Sequence, residues 1–188
     1  MIITIGIAIL CLILIIIIGL FITIYNKFQR LNNGAEAGIS QIKVALKKRL
    51  DMISQLAEVV KGYAKFEKNV MENITKMRSL VSQDIATKEI DKINGESKNI
   101  LERILAVVEN YPDLKASKNF IDLMNAIKDV EGEISRQRYT YNNIVQEYNT
   151  KLDVIPSNFI AKLLSYKRLE YLKFEKEVDN KPDMGLNN

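Results

Sequence analysis

The stretch that decides the fold is residues 28–81, FQRLNNGAEAGISQIKVALKKRLDMISQLAEVVKGYAKFEKNVMENITKMRSLV. From Ala35 onward its apolar residues recur at alternating steps of four and three. This spacing predicts the buried seam of one long packed helix. The seam positions are Ala35, Ile39, Ile42, Leu46, Ile53, Leu56, Val60, Tyr63, Val70, Ile74, Met77 and Val81, and only Arg49 and Glu67 interrupt them.

The composition agrees with a helical chain. Among 188 residues there are only 8 Gly and 3 Pro, which favours long helices over a sheet-rich fold. The length suits one globular domain once the apolar N-terminal segment is set aside. A formal net charge of +4 is too small to indicate a nucleic-acid partner, and no DNA- or RNA-binding motif accompanies it.

Residue types that carry chemistry are scarce. The sequence contains no His, which excludes His-based acid–base catalysis, His metal sites and His-containing triads. The single Cys11 lies inside the apolar N-terminal run, so no intrachain disulfide can form. Carboxylates are scattered at helix-surface spacing, without the Glu-x-x-His pairs of a di-iron bundle. We therefore predict no catalytic residue, no metal ligand and no cofactor.

Residues 2–24 are almost continuously apolar. Roughly 23 residues make about 35 Å of helix, enough to cross a bilayer. A cleaved signal peptide would need a basic leader and a small-residue exit site, and neither is present. We predict a single-pass anchor over residues 1–25, bounded by Ile2 and Ile24, with Tyr25 at the headgroups.

The charges that flank this segment predict its orientation. Lys27 and Arg30 follow it directly, and nothing basic precedes it except the amino terminus. The positive-inside rule then puts the N-terminus outside and the helical body in the cytoplasm. The lipid bilayer is thus the first predicted partner.

The rest of the chain predicts further helices. A second begins near Thr87 and ends before Pro112, and a third is capped by Ser117 and ends before Pro156. Ser157 could cap a short fourth helix. The predicted fold is all-α: an N-terminal transmembrane helix, then an elongated antiparallel bundle of three long helices plus a short C-terminal helix. The bundle covers residues 26–175, and residues 176–188 form a frayed tail.

Helix lengths suggest where partners bind. A first helix over residues 35–82 would be about 70 Å long, whereas the second returns only about 35 Å and the third runs away from the membrane again. The membrane-proximal part of the seam would then lack intrachain cover, and uncovered apolar seams mark self-association or partner binding. We predict an interaction surface at Ile39, Ile42, Leu46, Arg49 and Ile53.

A polar and aromatic cluster in the third helix is a second candidate surface. In one interpretation its tyrosines are half-buried against the long helix, with Arg and Asn satisfying their hydroxyls and the helix ends. In the other it is a recognition surface, because such residues dominate protein interfaces. The cluster comprises Arg136, Arg138, Tyr139, Tyr141, Asn142, Tyr148 and Asn149.

Several stretches, taken together and in order, resemble the LemA family of membrane-anchored helical proteins. The resemblance covers nearly all of residues 25–174. It departs from the family at Ser54-Gln55, where the family has Pro-Asn, at Phe66, where it has His, and at residues 168–170, where it has prolines. The matching stretches are YN at 25–26, KRLDMI at 48–53, VKGYAKFE at 60–67, YPDLKAS at 111–117, RYTYN at 138–142, YN at 148–149 and IPSNFIA at 155–161.

The resemblance implies an antiparallel bundle on one N-terminal anchor, with its body in the cytoplasm and no enzymatic activity. It also implies membrane stress or membrane-protein quality control as the setting, with membrane proteins or proteases among the partners. We therefore expect a non-enzymatic scaffold or adaptor that presents a rigid rod to protein partners, with homo-oligomerisation as one arrangement. The alternative is a single-pass signalling or sensor protein that transmits a conformational shift along the rod.

Overall fold

A computed structural model of the chain describes residues 1–62 and 68–173. Those residues contain six helices and no strand, which confirms the predicted all-α class. The helices are α1 (Ile2–Lys61), α2 (Lys68–Val81), α3 (Thr87–Val108), α4 (Pro112–Lys115), α5 (Lys118–Asp153) and α6 (Ser157–Leu163).

Helix α1 is the axis of the molecule. It runs for 60 residues without interruption, or about 90 Å. Its first part is long and apolar enough to cross a membrane, and none of that window is buried inside the protein. Asn32, Asn33 and Gly34 continue the helix, and Ile144 of α5 packs beside Gly34 with room for a Cβ at ordinary van der Waals distance. The apolar segment and the first helix of the bundle are therefore one continuous helix.

The seam is not carried by a single helix. Helix α1 ends at Lys61, followed by Gly62, and α2 then lies antiparallel against α1. Arg78 on α2 pairs with Asp51 at 2.5 Å, and the Lys43 ammonium donates to the Gln83 carbonyl at 3.0 Å. The prediction of one helix to Val81 is wrong, because α2 turns its apolar face back onto α1. The seam positions Tyr63 and Glu67 lie outside the described residues.

The longer partner of α1 is α5, which runs antiparallel to it and returns to the membrane-proximal end. Lys48 of α1 pairs with Glu133 at 3.9 Å, and Lys27 pairs with Glu147 at 2.6 Å. The prediction that this helix runs away from the membrane is wrong, since the reversal after Lys61 inverts every later direction. Its predicted cap is confirmed: the Ser117 hydroxyl accepts from the Phe120 N–H at 3.4 Å.

The membrane-proximal seam is covered by other helices of its own chain. Ile42, Leu46 and Ile53 are completely buried, and Ile39 is partly buried against the same core. Helices α2, α3 and α5 all contact α1. The predicted lack of cover over this segment is therefore wrong, because the early turn after Lys61 brings more helix back alongside it.

A second, smaller core, which we call the lower core, closes the membrane-proximal end. Phe28 and Leu31 of α1 meet Tyr148 of α5 and Ala161 of α6, with Ile24 at the edge. The Phe28 and Tyr148 rings meet edge to face, with centroids 5.4 Å apart. Ser157 is the first residue of α6, not its cap, and its hydroxyl donates to carbonyls of the preceding turn.

Candidate functional site

The most specific polar site is a clamp that binds an extended peptide belonging to the chain itself. Residues 166–173 form no helix and lie along α5; we call them the strap. Leu172 of the strap is buried in the main core, and Leu169 packs at the edge of both cores. Tyr166, at the other end, lies over Phe28 with ring centroids 4.9 Å apart.

Two asparagines of α5 hold the strap backbone. Asn142 donates to the Leu172 carbonyl at 2.8 Å and accepts from the Leu172 N–H at 2.9 Å. Asn149 repeats the arrangement with Leu169, both bonds being 3.0 Å. The two amides are seven residues apart, so they share one helix face. Each asparagine amide thus bonds both the backbone N–H and the backbone C=O of one strap residue, as a neighbouring β-strand would.

Charged and phenolic groups complete the clamp. Arg138 donates to the Lys173 carbonyl and pairs with Asp91 of α3 at 2.9 Å. Asp91 in turn accepts from the Lys173 N–H at 3.0 Å. The Tyr141 hydroxyl donates to the Glu170 carbonyl at 2.9 Å. The clamp therefore fastens the strap to α3 as well as to α5, at the point where α3 begins beside α1.

Burial changes the acidity of two tyrosines in this site. It raises the pKa of the Tyr141 hydroxyl above its usual value of 10.0, and the carboxylates of Glu170 and Asp91 raise it further. Burial also raises the pKa of Tyr148, with Tyr166 adding to the effect. Both phenols therefore stay protonated at neutral pH, and Tyr141 can act as a hydrogen-bond donor.

The residues predicted at the surface of α5 divide into two groups. The first group is buried, either against the strap or in the lower core; it comprises Arg138, Tyr141, Asn142, Tyr148 and Asn149. Arg136 and Tyr139 point outward, and 62% of Tyr139 is exposed. Only this second group remains accessible to another molecule.

Arg49 is buried inside the bundle. Its guanidinium donates to the Asn94 carbonyl at 2.7 Å and to the Ser97 hydroxyl, both on α3. Glu131 of α5 lies 3.7 Å away and also pairs with Lys98 at 2.9 Å. Arg49, predicted on an interaction surface, is instead an intrachain bridge from α1 to α3 and α5. Ile42, Leu46 and Ile53 are core residues and Ile39 packs partly buried against that core, so these four do not form a free surface.

The predicted anchor residues Ile2, Ile24 and Tyr25 all lie on α1. Ile2 is exposed, while Ile24 is half-buried against the lower core. Tyr25 stacks on Phe21 one turn earlier, with ring centroids 6.4 Å apart. Aromatic residues beside an apolar span are typical of the headgroup level, and the placement of Tyr25 there stays a prediction. Throughout residues 1–62 and 68–173, no group of three or more His, Cys, Asp or Glu side chains could hold a metal ion.

The strap residues themselves escaped prediction. Tyr166, Leu169 and Leu172 carry its apolar contacts, and Asp91 joins its end to α3. Their signal in the sequence is the spacing of three between these apolar residues, after the last short helix. Two asparagines spaced by seven on a helix that otherwise packs in the core supply the matching half.

Comparison with known proteins gives a family assignment. The sequence profile described as the LemA family matches residues 38–185. A protein named Protein LemA from Metamycoplasma hominis is 29% identical over 155 residues, covering 80% of this chain and 71% of that protein. Magnetosome protein MamQ 2 from Paramagnetospirillum magneticum is 23% identical over 184 residues, covering 84% of this chain and 67% of its own length.

Proposed function

This chain belongs to the LemA family, and from that premise we propose that it is a non-enzymatic, membrane-anchored scaffold that presents a rigid helical column to protein partners. One observation carries the proposal. Helix α1 passes from the apolar segment into the bundle core without a break. A bundle attached in this way holds a fixed height above the bilayer, which a flexible linker would not provide.

The proposed topology has the N-terminus outside and the column in the cytoplasm. Lys27 and Arg30 follow the span, and Lys151 and Lys162 lie at the same end of the bundle because α5 returns there. Basic residues close to the span favour the cytoplasmic side. We place the partners among membrane proteins or proteases, in envelope stress or membrane-protein quality control, as the family resemblance suggests.

The accessible surface nearest the middle of the column is the best candidate for the partner site. Val44 of α1 is 66% exposed. The Lys48–Glu133 pair places it at about the same height as Arg136, with Tyr139 one turn away. An exposed apolar residue at the height of an exposed arginine and tyrosine has the composition of an interface centre. We retain these outward residues, and not the buried seam, as the proposed surface.

Site-specific photo-crosslinking in intact membranes tests the scaffold. A photoreactive residue replaces Tyr139 or Val44 in the full chain, and one at exposed Lys118, on the far end of α5, serves as the control. We expect discrete adducts from the first two positions and none from the control, and mass spectrometry then identifies the partner. An adduct with a second copy would make the partner this chain itself. The scaffold is refuted if every position yields only the monomer.

A sensor that transmits a shift along the rod is the second candidate. The same uninterrupted helix favours it, because a movement of the span would be carried directly into the core of the bundle. Two spin labels, at exposed Tyr25 and exposed Ile121, would report this movement by their separation. A change in that distance between membranes of different thickness supports the sensor, whereas a fixed distance supports the scaffold.

A further inference from the structure

The turn from α5 into α6 carries an exposed apolar surface that the scaffold does not explain. Ile155, Phe159 and Leu163 are 74%, 65% and 75% exposed, although each is a large hydrophobic residue. Val154 adds to this surface. We call these four residues the foot. Isolated exposed apolar residues need no explanation, whereas a contiguous group marks a contact with something apolar.

The foot lies at the height where α1 leaves the membrane. Glu147 and Tyr148 of α5 meet Lys27 and Phe28 of α1. Because the helices are antiparallel, each further residue of α5 lies one residue earlier along α1. Leu152 accordingly packs in the same cluster as Ile24, the last residue of the apolar span. The turn that follows α5 is therefore level with the aromatic pair Phe21 and Tyr25.

The two faces of α6 are sharply different. Ser157 and Ala161, four residues apart, are buried against the rest of the protein. Phe159 and Leu163, also four residues apart, lie on the opposite face and are exposed. A helix that packs through small residues and turns its large apolar residues outward is not a failed core element. It is the pattern of an interfacial helix.

The charge around the foot matches a phospholipid surface. Arg30, Lys162 and Lys167 are exposed at this end of the molecule. Lys27 and Arg168 are here as well, and they pair with Glu147 and Asp153. Basic side chains thus outnumber acidic ones beside an apolar face, and long basic side chains reach headgroups while their stems lie over apolar surface.

We propose that the foot is a second membrane contact, inserted into the interfacial region of the same leaflet from which α1 emerges. Leu152, two residues before the foot, packs in the same cluster as Ile24 of the apolar span, so a bilayer that surrounds the span also reaches the level of the foot. One helix alone leaves its column free to tilt about the membrane. A second contact on the opposite helix of the pair fixes the tilt and the rotation of the column. This proposal holds whether or not the column binds a protein partner.

The complete absence of tryptophan makes the test direct. The full-length Phe159→Trp variant is reconstituted in vesicles of phosphatidylcholine and phosphatidylglycerol, with or without bromine on the acyl chains. Its matched control is Ile121→Trp, also exposed, which lies roughly 45 Å above Ile24 along the column. We expect blue-shifted emission and strong quenching by brominated lipid for Trp at 159, and neither for the control.

Two results would overturn the proposal. Emission at 159 that is neither shifted nor quenched, in chains that resist extraction from the vesicles, means that the foot stays in water. A blue shift without quenching means that protein covers the foot, either a second copy or another chain. Leu163→Trp, on the same outward face, repeats the measurement independently and must agree with Phe159→Trp.

Discussion

Asn142 and Leu172 exchange two hydrogen bonds, one from the asparagine amide to the leucine carbonyl at 2.8 Å and one from the leucine N–H to the amide oxygen at 2.9 Å. Leu172 is buried, so neither of its backbone groups has water as a substitute partner. The pair therefore ties the strap to α5. It turns a single side chain into a template for extended backbone.

Asn142→Ala removes both bonds and leaves a buried N–H and a buried C=O without partners. We expect a loss of roughly 2 kcal/mol in the free energy that holds the strap. The amide of Leu172 should then exchange with solvent about 30-fold faster. Hydrogen exchange of the full chain in detergent measures this rate. Asn143→Ala is the control, because Asn143 is exposed, and its exchange rates should match those of the wild type.

Leu172→Ala tests the apolar half of the strap. Leu172 is 1% exposed, and its truncation leaves a cavity in the main core at a cost of about 3 kcal/mol. The neighbouring Tyr171→Ala changes an exposed side chain and should cost less than about 0.5 kcal/mol. Urea unfolding followed by circular dichroism measures both. Equal effects of the two substitutions would mean that the strap does not contribute to the core.

Arg49 is a buried charge that contacts α3 and α5 from α1, and its substitutions should differ in how much stability they remove. Arg49→Ala removes the hydrogen bonds that the Asn94 carbonyl and the Ser97 hydroxyl accept, and it also leaves a cavity. We therefore expect the free energy of unfolding to fall by about 3 kcal/mol. Arg49→Met keeps most of the apolar volume and should cost clearly less. Lys48→Ala, next in sequence but exposed, serves as the control in thermal unfolding. A loss for Arg49→Met as large as that for Arg49→Ala would show that the charge, and not the packing, stabilises the bundle.

Tyr141 makes the free energy of unfolding depend on pH in the alkaline range. Its pKa is raised in the folded protein, whereas in the unfolded chain it has the ordinary value of about 10. Below that pH both states keep the proton and the full stability is present. Above it the unfolded chain releases its proton first, so the free energy of unfolding falls as pH rises towards the folded-state pKa.

The urea midpoint, measured from neutral to alkaline pH, shows this fall. Tyr141→Phe should start from a lower midpoint, because the Glu170 carbonyl loses its donor, and should then fall less steeply. Part of the slope should remain, because the pKa of Tyr148 is raised in the same direction. Tyr139→Phe, at the exposed neighbour, should reproduce the wild-type slope. An unchanged slope in Tyr141→Phe would contradict the assignment.

The buried face of the chain was predictable, because a period of 3.6 depends only on which residues avoid water. Ile42, Leu46 and Ile53 were expected on the seam, and they are buried. The reversal after Lys61 was not predictable from that period. Two helices of an antiparallel hairpin both turn apolar residues inward, so the pattern continues across the turn. Gly62, directly after the last helical residue, was the only local sign.

The strap could not be predicted from a periodic pattern, for a different reason. It has no regular structure of its own, and its shape comes from Asn142 and Asn149, far away in sequence. An asparagine on a helix looks the same whether it faces water or a peptide. The polar cluster of α5 could therefore be recognised as unusual, but the strap of the same chain could not be identified as the segment that it binds.

The lower core joins residues that are made at very different times. Gln29 donates to the Tyr166 hydroxyl at 2.9 Å across 137 positions of sequence. During synthesis the apolar segment of α1 emerges first and can enter the bilayer long before Tyr166 exists. Phe28 and Leu31 then stay uncovered beside the lipid surface until Tyr148, Ala161 and Tyr166 have been made. Contacts of such long range form slowly, and exposed apolar surface is then open to aggregation. The interval between membrane insertion and the arrival of the strap is thus the vulnerable stage in the life of each molecule.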